Sequence, residues 1–186
     1  SIEVEKPITV QVNGTGADSQ VIIDLPDNAT KNVTAYIDGK PVPVVFENGT
    51  PSVNLSDVPP GQHNLTVVYV DQNNNTSVVN TQINVPKWPS SINATAPVIR
   101  EGDVLPVTVT AGSTEMTGLV LVDINGTGYY ANLTDGKAII QVPGLKEGTY
   151  DANITYLGDG KYEVSNNTFK VTVESPIIID VDGAGN

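Results

Sequence analysis

One stretch limits what this chain can fold into. From Glu147 onward the sequence reads Glu-Gly-Thr-Tyr-Asp-Ala-Asn-Ile-Thr-Tyr-Leu-Gly-Asp-Gly-Lys-Tyr, and it closes on Phe169-Lys-Val-Thr-Val. Tyr150, Ala152, Ile154 and Tyr156 alternate with Asp151, Asn153 and Thr155; Phe169, Val171 and Val173 keep the same rhythm. Alternation with period 2 is the pattern of a strand with one face buried and one face wet. It predicts two antiparallel strands joined by a Gly-Asp-Gly turn. The pattern occurs once earlier, from Pro60-Gly-Gln-His-Asn-Leu-Thr-Val-Val to Tyr69, and ends in Ile83-Asn-Val85. Tyr69 and Tyr156 are 87 positions apart, as are Pro89 and Pro176. That period is too long for a solenoid coil and suits one small sandwich able to fold alone.

The repeat sets the expected boundaries: a first domain over residues 1–87, a second over 88–175, and the start of a third copy, or a tail, over 176–186. Ile177-Ile-Ile-Asp-Val181 has the look of an opening strand, and Ile2-Glu-Val4 likewise begins directly in one. The chain therefore reads as part of a longer array. In the first domain, strands are expected at Ile2–Val12, with an interruption or change of edge at Pro7, which cannot donate to a ladder. Further strands are expected at Val21–Leu25, Val33–Ile37, Val42–Phe46 after an Asp38-Gly39 turn, Val53–Leu55, and a pair between His63 and Val85. In the second they are expected at Ile92–Ile99, Val104–Thr110, Gly118–Ile124, Gly128–Leu133, Ala138–Val142, Thr149–Leu157 and Val164–Val173. Asp-Gly between alternating runs is a strong hairpin signal. Trp88, flanked by Pro86 and Pro89, is expected to pack between the domains on a short, semi-rigid link.

About seven strands per domain, with turn residues between them, argue for an all-β chain of two tandem immunoglobulin-like sandwiches. Tyr150 adds to this. It stands two residues before the small residue Ala152, at the head of the penultimate strand, where a tyrosine corner would bond its hydroxyl back to the preceding loop. His63 holds the equivalent place in the first domain.

Charge and residue usage narrow the function. With 21 acidic and 9 basic residues the formal net charge is −12, and no run of Lys and Arg occurs. Nucleic acid and anionic lipid both need a basic patch, so neither is an expected partner. There is no cysteine, so the sandwiches rest on packing alone, and there is a single histidine. His63 with Ser56 and Asp57 offers the residue types of a hydrolytic set, but its period-2 partners Leu65, Val67 and Tyr69 place it on a strand face. No enzyme is expected.

The loudest chemical signal is Asn-x-Ser/Thr. It occurs at Asn13, Asn28, Asn32, Asn48, Asn54, Asn64, Asn74, Asn75, Asn93, Asn125, Asn132, Asn153 and Asn166, which is 13 of 18 asparagines. Chance would give roughly three. These are candidate glycosylation sites. The same pattern at Asn32, Asn54, Asn64, Asn132 and Asn153 also describes a strand whose outer face is built from Asn and Thr, and the two readings are compatible. Metal and cofactor ligands are not expected. The only candidate is calcium at the turn aspartates Asp27, Asp71, Asp159 and Asp182, which are otherwise expected to be solvated. A self-formed cross-link would have to use Lys6 with Asn80 or Asn84, or Thr9 with Gln82. Of the aromatics, Tyr69, Tyr150, Tyr156 and Phe169 read as inward. Tyr36, Tyr129, Tyr130, Tyr162 and Trp88 remain for ligand contact, with the Tyr129-Tyr130 pair foremost.

Three motifs carry a family resemblance. Val122-Asp-Ile-Asn-Gly126, Pro143-Gly-Leu-Lys-Glu-Gly-Thr-Tyr150 and Ile154-Thr-Tyr-Leu-Gly-Asp-Gly-Lys-Tyr162 resemble the bacterial-type Ig-like (Big) repeats of methanogen adhesin-like surface proteins. The match runs through nearly all of residues 98–173, including Arg100-Glu-Gly-Asp103; the first domain is a divergent copy, with Asp71-Gln-Asn-Asn-Asn75 in place of the Gly-Asp-Gly turn. The resemblance implies an extracellular archaeal cell-surface glycoprotein that acts as an adhesin stalk or spacer. Its partners would be neighbouring repeats and a protein or glycan of another cell, without direct membrane contact in this stretch. The alternative is a carbohydrate-binding or accessory domain of a secreted enzyme.

Overall fold

The computed structural model describes residues 8–177 and divides the chain into two compact units after Trp88. Unit 1 contains β1 (Thr9–Asn13), a 3-10 turn (Gly16–Asp18), β2 (Gln20–Asp24), β3 (Ala29–Ile37), β4 (Lys40–Val42), β5 (Val45–Glu47), β6 (Thr50–Asn54), β7 (Gly61–Asp71) and β8 (Thr76–Val85). These form two four-stranded sheets, in the orders β1-β2-β6-β5 and β4-β3-β7-β8. The inward members of each alternation meet between the sheets. Val21 and Ile23 of β2 and Val53 of β6 form one side, with Leu55 just beyond; Ala35, Ile37, Leu65, Val67, Ile83 and Val85 form the other. Each fully buried Val, Ile or Leu contributes about 1.5–3 kcal/mol, so a core in which Tyr69 is the buried aromatic is held mainly by many modest aliphatic terms.

Unit 2 contains β9 (Ile92–Thr95), β10 (Ile99–Arg100), β11 (Leu105–Ala111), β12 (Leu119–Ile124), β13 (Thr127–Asn132), β14 (Lys137–Val142), β15 (Gly148–Tyr156) and β16 (Ser165–Glu174). A three-stranded sheet, β14-β11-β9, faces a five-stranded one, β10-β16-β15-β12-β13. Val107, Val109, Val120, Val122, Ile154, Tyr156 and Val171 are fully buried. The alternation expected of Tyr150 to Tyr156 is present: Ala152, Ile154 and Tyr156 are buried while Asp151 and Asn153 are exposed. The strand order gives each unit the immunoglobulin-like sandwich architecture.

Among the described residues each unit has eight strands rather than about seven, because proline cuts two of the expected runs. Val42–Phe46, expected as one strand, is two, β4 and β5, which belong to different sheets, with Pro43 and Val44 crossing between them. Ile92–Ile99 is likewise two. β9 pairs with β11, and beyond Pro97 β10 joins the opposite sheet, running parallel to β16 with Ile99 beside Val173. Proline supplies no ladder N–H, so each break falls where the chain changes partners. The expected break at Pro7 and the expected strand at Ile177–Val181 fall on or run into residues outside those described. The Gly-Asp-Gly turn is in fact an eight-residue loop over residues 157–164.

Hairpins follow their turn residues. Asp38-Gly39, Asn48-Gly49 and Asn125-Gly126 all have φ between 50° and 82°, the left-handed pair that a two-residue hairpin with right-handed twist requires. The domain boundary falls one residue later than expected. A Cβ on Gly16 would lie 3.3 Å from Cε3 of Trp88, so the indole rests on the bare backbone of the 3-10 turn and belongs to unit 1.

The tyrosine corner is present in unit 2. Tyr150 Oη donates to the carbonyl of Lys146 at 2.5 Å, tying the head of β15 to the loop before it. Replacing Tyr150 with Phe removes this bond while keeping the ring. Chemical denaturation should show unit 2 destabilised by about 0.5–1.5 kcal/mol and unit 1 unchanged. An unaltered unit 2 would mean that the corner contributes nothing.

Candidate functional site

His63 occupies the corner position in unit 1 and reproduces the device with different chemistry. Its Nε2 lies 2.7 Å from the Pro59 carbonyl, four residues back, as Lys146 is from Tyr150. Its Nδ1 lies 2.5 Å from Oδ2 of Asp38 in the β3–β4 turn. The other oxygen of Asp38 accepts the Asn64 N–H at 2.9 Å. Both ring nitrogens thus face acceptors, and only the imidazolium donates from both. The bond to the Asp38 carboxylate raises the His63 pKa, burial opposes it, and the Pro59 carbonyl adds to the rise. Ser56 does not join this group: its hydroxyl donates to Asn54 Oδ1 at 2.5 Å. His63, Ser56 and Asp57 are therefore not brought together as a nucleophile with its base.

Two of the turn aspartates are hydrogen-bond hubs rather than solvated carboxylates. Asp71 Oδ1 accepts the N–H groups of Asn73 at 2.8 Å and Asn75 at 2.9 Å, closing the β7–β8 turn. The Asn75 N–H holds its pKa below the usual carboxylate range. Asp159 organises the loop between β15 and β16. Its Oδ1 accepts from the N–H of Lys161 and of Tyr162, and its Oδ2 from the N–H and hydroxyl of Thr117. Burial pushes its pKa up, but the N–H bonds outweigh burial and hold it at about 2. Tyr156 donates to the Thr117 carbonyl at 2.7 Å beneath this loop, and burial, then the Asp159 charge, push its pKa up. Asp27 is exposed, and Asp182 lies outside the described residues. Among the described residues no three His, Cys, Asp or Glu side chains gather as metal ligands.

The cross-link candidates are not joined either. Thr9 faces Asp24 across β1–β2, in a different sheet from Gln82 of β8. Asn80 is exposed and accepts from the Thr66 hydroxyl at 2.6 Å. Lys6 lies outside the described residues. Such chemistry needs a buried pair, and an outward strand face cannot supply one.

The aromatics sort by strand face. Tyr129 and Tyr130 are neighbours on β13 and so point to opposite sides. Tyr129 stands opposite the buried Val122, and Tyr130 stands opposite the outward Leu121 and is 62% exposed. The expected pair is therefore a single outward ring. Tyr162 is buried, with its hydroxyl 3.2 Å from Glu115 Oε2, so it is removed as a surface candidate. Tyr36 and Trp88 are half-buried. A shallow polar groove on the outer face of unit 1 is lined by Asp38, Asn64, Thr66, Asn80, Thr81 and Gln82, residues not singled out together from sequence. Cross-strand register, which a sequence does not print, is what assembles it. Of the candidate glycosylation sites Asn13 is half-buried, and Asn28, Asn32, Asn48, Asn54, Asn64, Asn74, Asn75, Asn93, Asn125, Asn132, Asn153 and Asn166 are exposed.

No protein-family model matches the chain, and no curated protein does. Among solved structures it is similar to the fibronectin(III)-like modules of Clostridium thermocellum CbhA, with 14% identity and a TM-score of 0.40, covering 91% of this chain and 95% of that one. It is similar to the amphioxus IgVJ-C2 molecule, with 15% identity and a TM-score of 0.43 over 91% and 98% of the two chains. It is also similar to a Ca2+-stabilized adhesin that helps an Antarctic bacterium reach out and bind ice. There the identity is 19% and the TM-score 0.37, over 93% of this chain and 50% of that one. The sandwich architecture itself rests on the strand order of each unit.

The His63 corner predicts a pH dependence of definite sign. A raised folded pKa stabilises fully below the ordinary histidine value near 6.5, and that contribution is lost as pH rises through the folded value. Unit 1 should melt roughly 2–5 °C lower at pH 8.5 than at pH 6. Trp88 fluorescence should report this, because the indole rests on Gly16. His63→Tyr keeps a donor to Pro59 and should flatten the profile. His63 is the only histidine, so proton NMR reads its pKa directly; a value at or below about 6.5 would refute the arrangement.

Proposed function

We propose that the chain is a non-catalytic, extracellular spacer from a surface adhesin, built of immunoglobulin-like units in series. One observation carries this reading. Two units of the same architecture follow one another directly, and each closes its own core and locks its own penultimate strand with a side chain bonded to the carbonyl four residues back. Self-contained units of this kind add length by repetition. Outward faces rich in Asn and Thr and a net charge of −12 keep such a string soluble. The resemblance to Big repeats supports placement on an archaeal, methanogen-like cell surface. There the partners would be neighbouring repeats and a protein or glycan of another cell.

A second reading is favoured by one feature, the exposed ring of Tyr130 beside outward amides. In that reading the chain binds a carbohydrate, as an accessory domain of a secreted enzyme would.

Force spectroscopy on the chain tests the spacer. Two separate unfolding events are expected, each releasing a contour length of about 300 Å, from some 85 residues at roughly 3.6 Å each. Gradual extension at low force would refute it. Saturable binding of the unglycosylated protein to a glycan array, abolished by Tyr130→Ala without loss of stability, would instead establish the carbohydrate-binding reading.

A further inference from the structure

Tyr130 is the one exposed aromatic among seven Tyr, two Phe and one Trp. It stands in an apolar patch on the outer face of the five-stranded sheet of unit 2. Leu121 lies opposite it and Leu119 opposite Asn132. The N–H of Leu157 bonds the Leu119 carbonyl, which sets those two leucines side by side, 41% and 42% exposed. Together they make a small outward apolar patch with the tyrosine at its edge.

Asn132 lies two residues after Tyr130 on the same strand and is exposed like it. Residues i and i+2 of a strand point the same way, about 7 Å apart, and a directly opposite residue is about 5 Å away. Asn132 thus stands beside both the ring and Leu119. It opens the sequence Asn132-Leu-Thr134. Phe46 has the same spacing from Asn48, but Phe46 is half-buried and Asn48 is in the turn at φ 51°. Asn54 and Asn93 have serines, Ser52 and Ser91, two residues before them rather than an aromatic. Of the candidate sites, Asn132 alone adjoins an exposed aromatic on its own strand face. A Cβ on Gly128 would come within 2.9 Å of Leu121 Cδ1, so Leu121 leans over Gly128, on the side of Tyr130 away from Asn132.

We infer that Asn132 is a glycosylation site whose first sugar folds back onto Tyr130 and Leu119, covering the patch in cis. In the transfer, Asn132 Nδ2 attacks the anomeric carbon of a phosphate-activated glycosyl donor, loses a proton, and releases the phosphate carrier. The C–H face of the attached pyranose then meets the tyrosine ring, and its hydroxyls and amide point to water. Among the described residues the patch includes no cation, and Asp123 is the nearest acidic residue on that face of β12, so the surface suits a neutral sugar. The inference rests on the extracellular reading only for how the chain meets a glycosyltransferase in its native cell.

The test is a double-mutant cycle on the full chain secreted from a glycosylating host. The four proteins carry Asn132 or Asn132→Gln, each with Tyr130 or Tyr130→Thr. Occupancy is read by mass spectrometry after trimming to one sugar, and the same four proteins made without glycosylation supply the protein-only effects. The sugar at Asn132 should raise the melting temperature of unit 2 by roughly 4 °C when Tyr130 is present. With Tyr130→Thr the gain should disappear, and unit 1 should not move in any protein. No gain, an equal gain in both backgrounds, or no sugar at Asn132 overturns the inference. None of these outcomes bears on the unfolding steps that test the spacer.

Discussion

Everything in this protein depends on burying one face of each sheet against another. The chain has no disulfide and few large aromatics inside, so two layers of Val, Ile and Leu must exclude water over the whole interface. That requirement fixes register, because a slip by one residue would turn every apolar side chain outward. It also explains the hairpin turns. Asp38-Gly39, Asn48-Gly49 and Asn125-Gly126 join adjacent strands with two residues and no freedom to slide.

Local side-chain bonds then secure what packing alone leaves loose. Loops at the ends of a thin sandwich have little apolar surface to bury. Here they are held by oxygen atoms: Lys146 and Pro59 carbonyls at the corners, and Asp71 and Asp159 carboxylates in the β7–β8 and β15–β16 connections. The two corners solve one problem with a neutral phenol and with a titratable imidazole. Only the second ties stability to pH, since the imidazole loses a donor when it loses its proton.

The outer faces are where function would be read, and their chemistry is divided. Unit 1 shows amides and hydroxyls in the groove along Asn64, Asn80 and Gln82, with the exposed Val78 farther along the same strand face. Unit 2 shows Leu119, Leu121, Leu157 and Tyr130 among Asn132, Asn153 and Thr155. Sandwiches that share a core pattern can thus present unlike surfaces, because outward positions are free of the packing constraint that governs inward ones.

The sequence by itself determined the tandem repeat, the all-β class, the inward members of each strand and the place of the tyrosine corner. All of these follow from period-2 alternation and turn chemistry, which are local. Tertiary structure decided what depends on partners distant in the chain. It split Val42–Phe46 and Ile92–Ile99 between sheets, because proline marks a break without saying which sheet the chain joins next. It gave His63 its Asp38, 25 residues away. It decided that Tyr130 rather than Tyr129 faces outward, and it buried Tyr162, which stands in a loop where alternation gives no guidance. It turned Asp71 and Asp159 from turn residues into anchors, because the N–H groups they accept are lined up only when the loops close. A sequence displays which side chains need burial or a partner; only the folded chain brings the partner within about 3 Å.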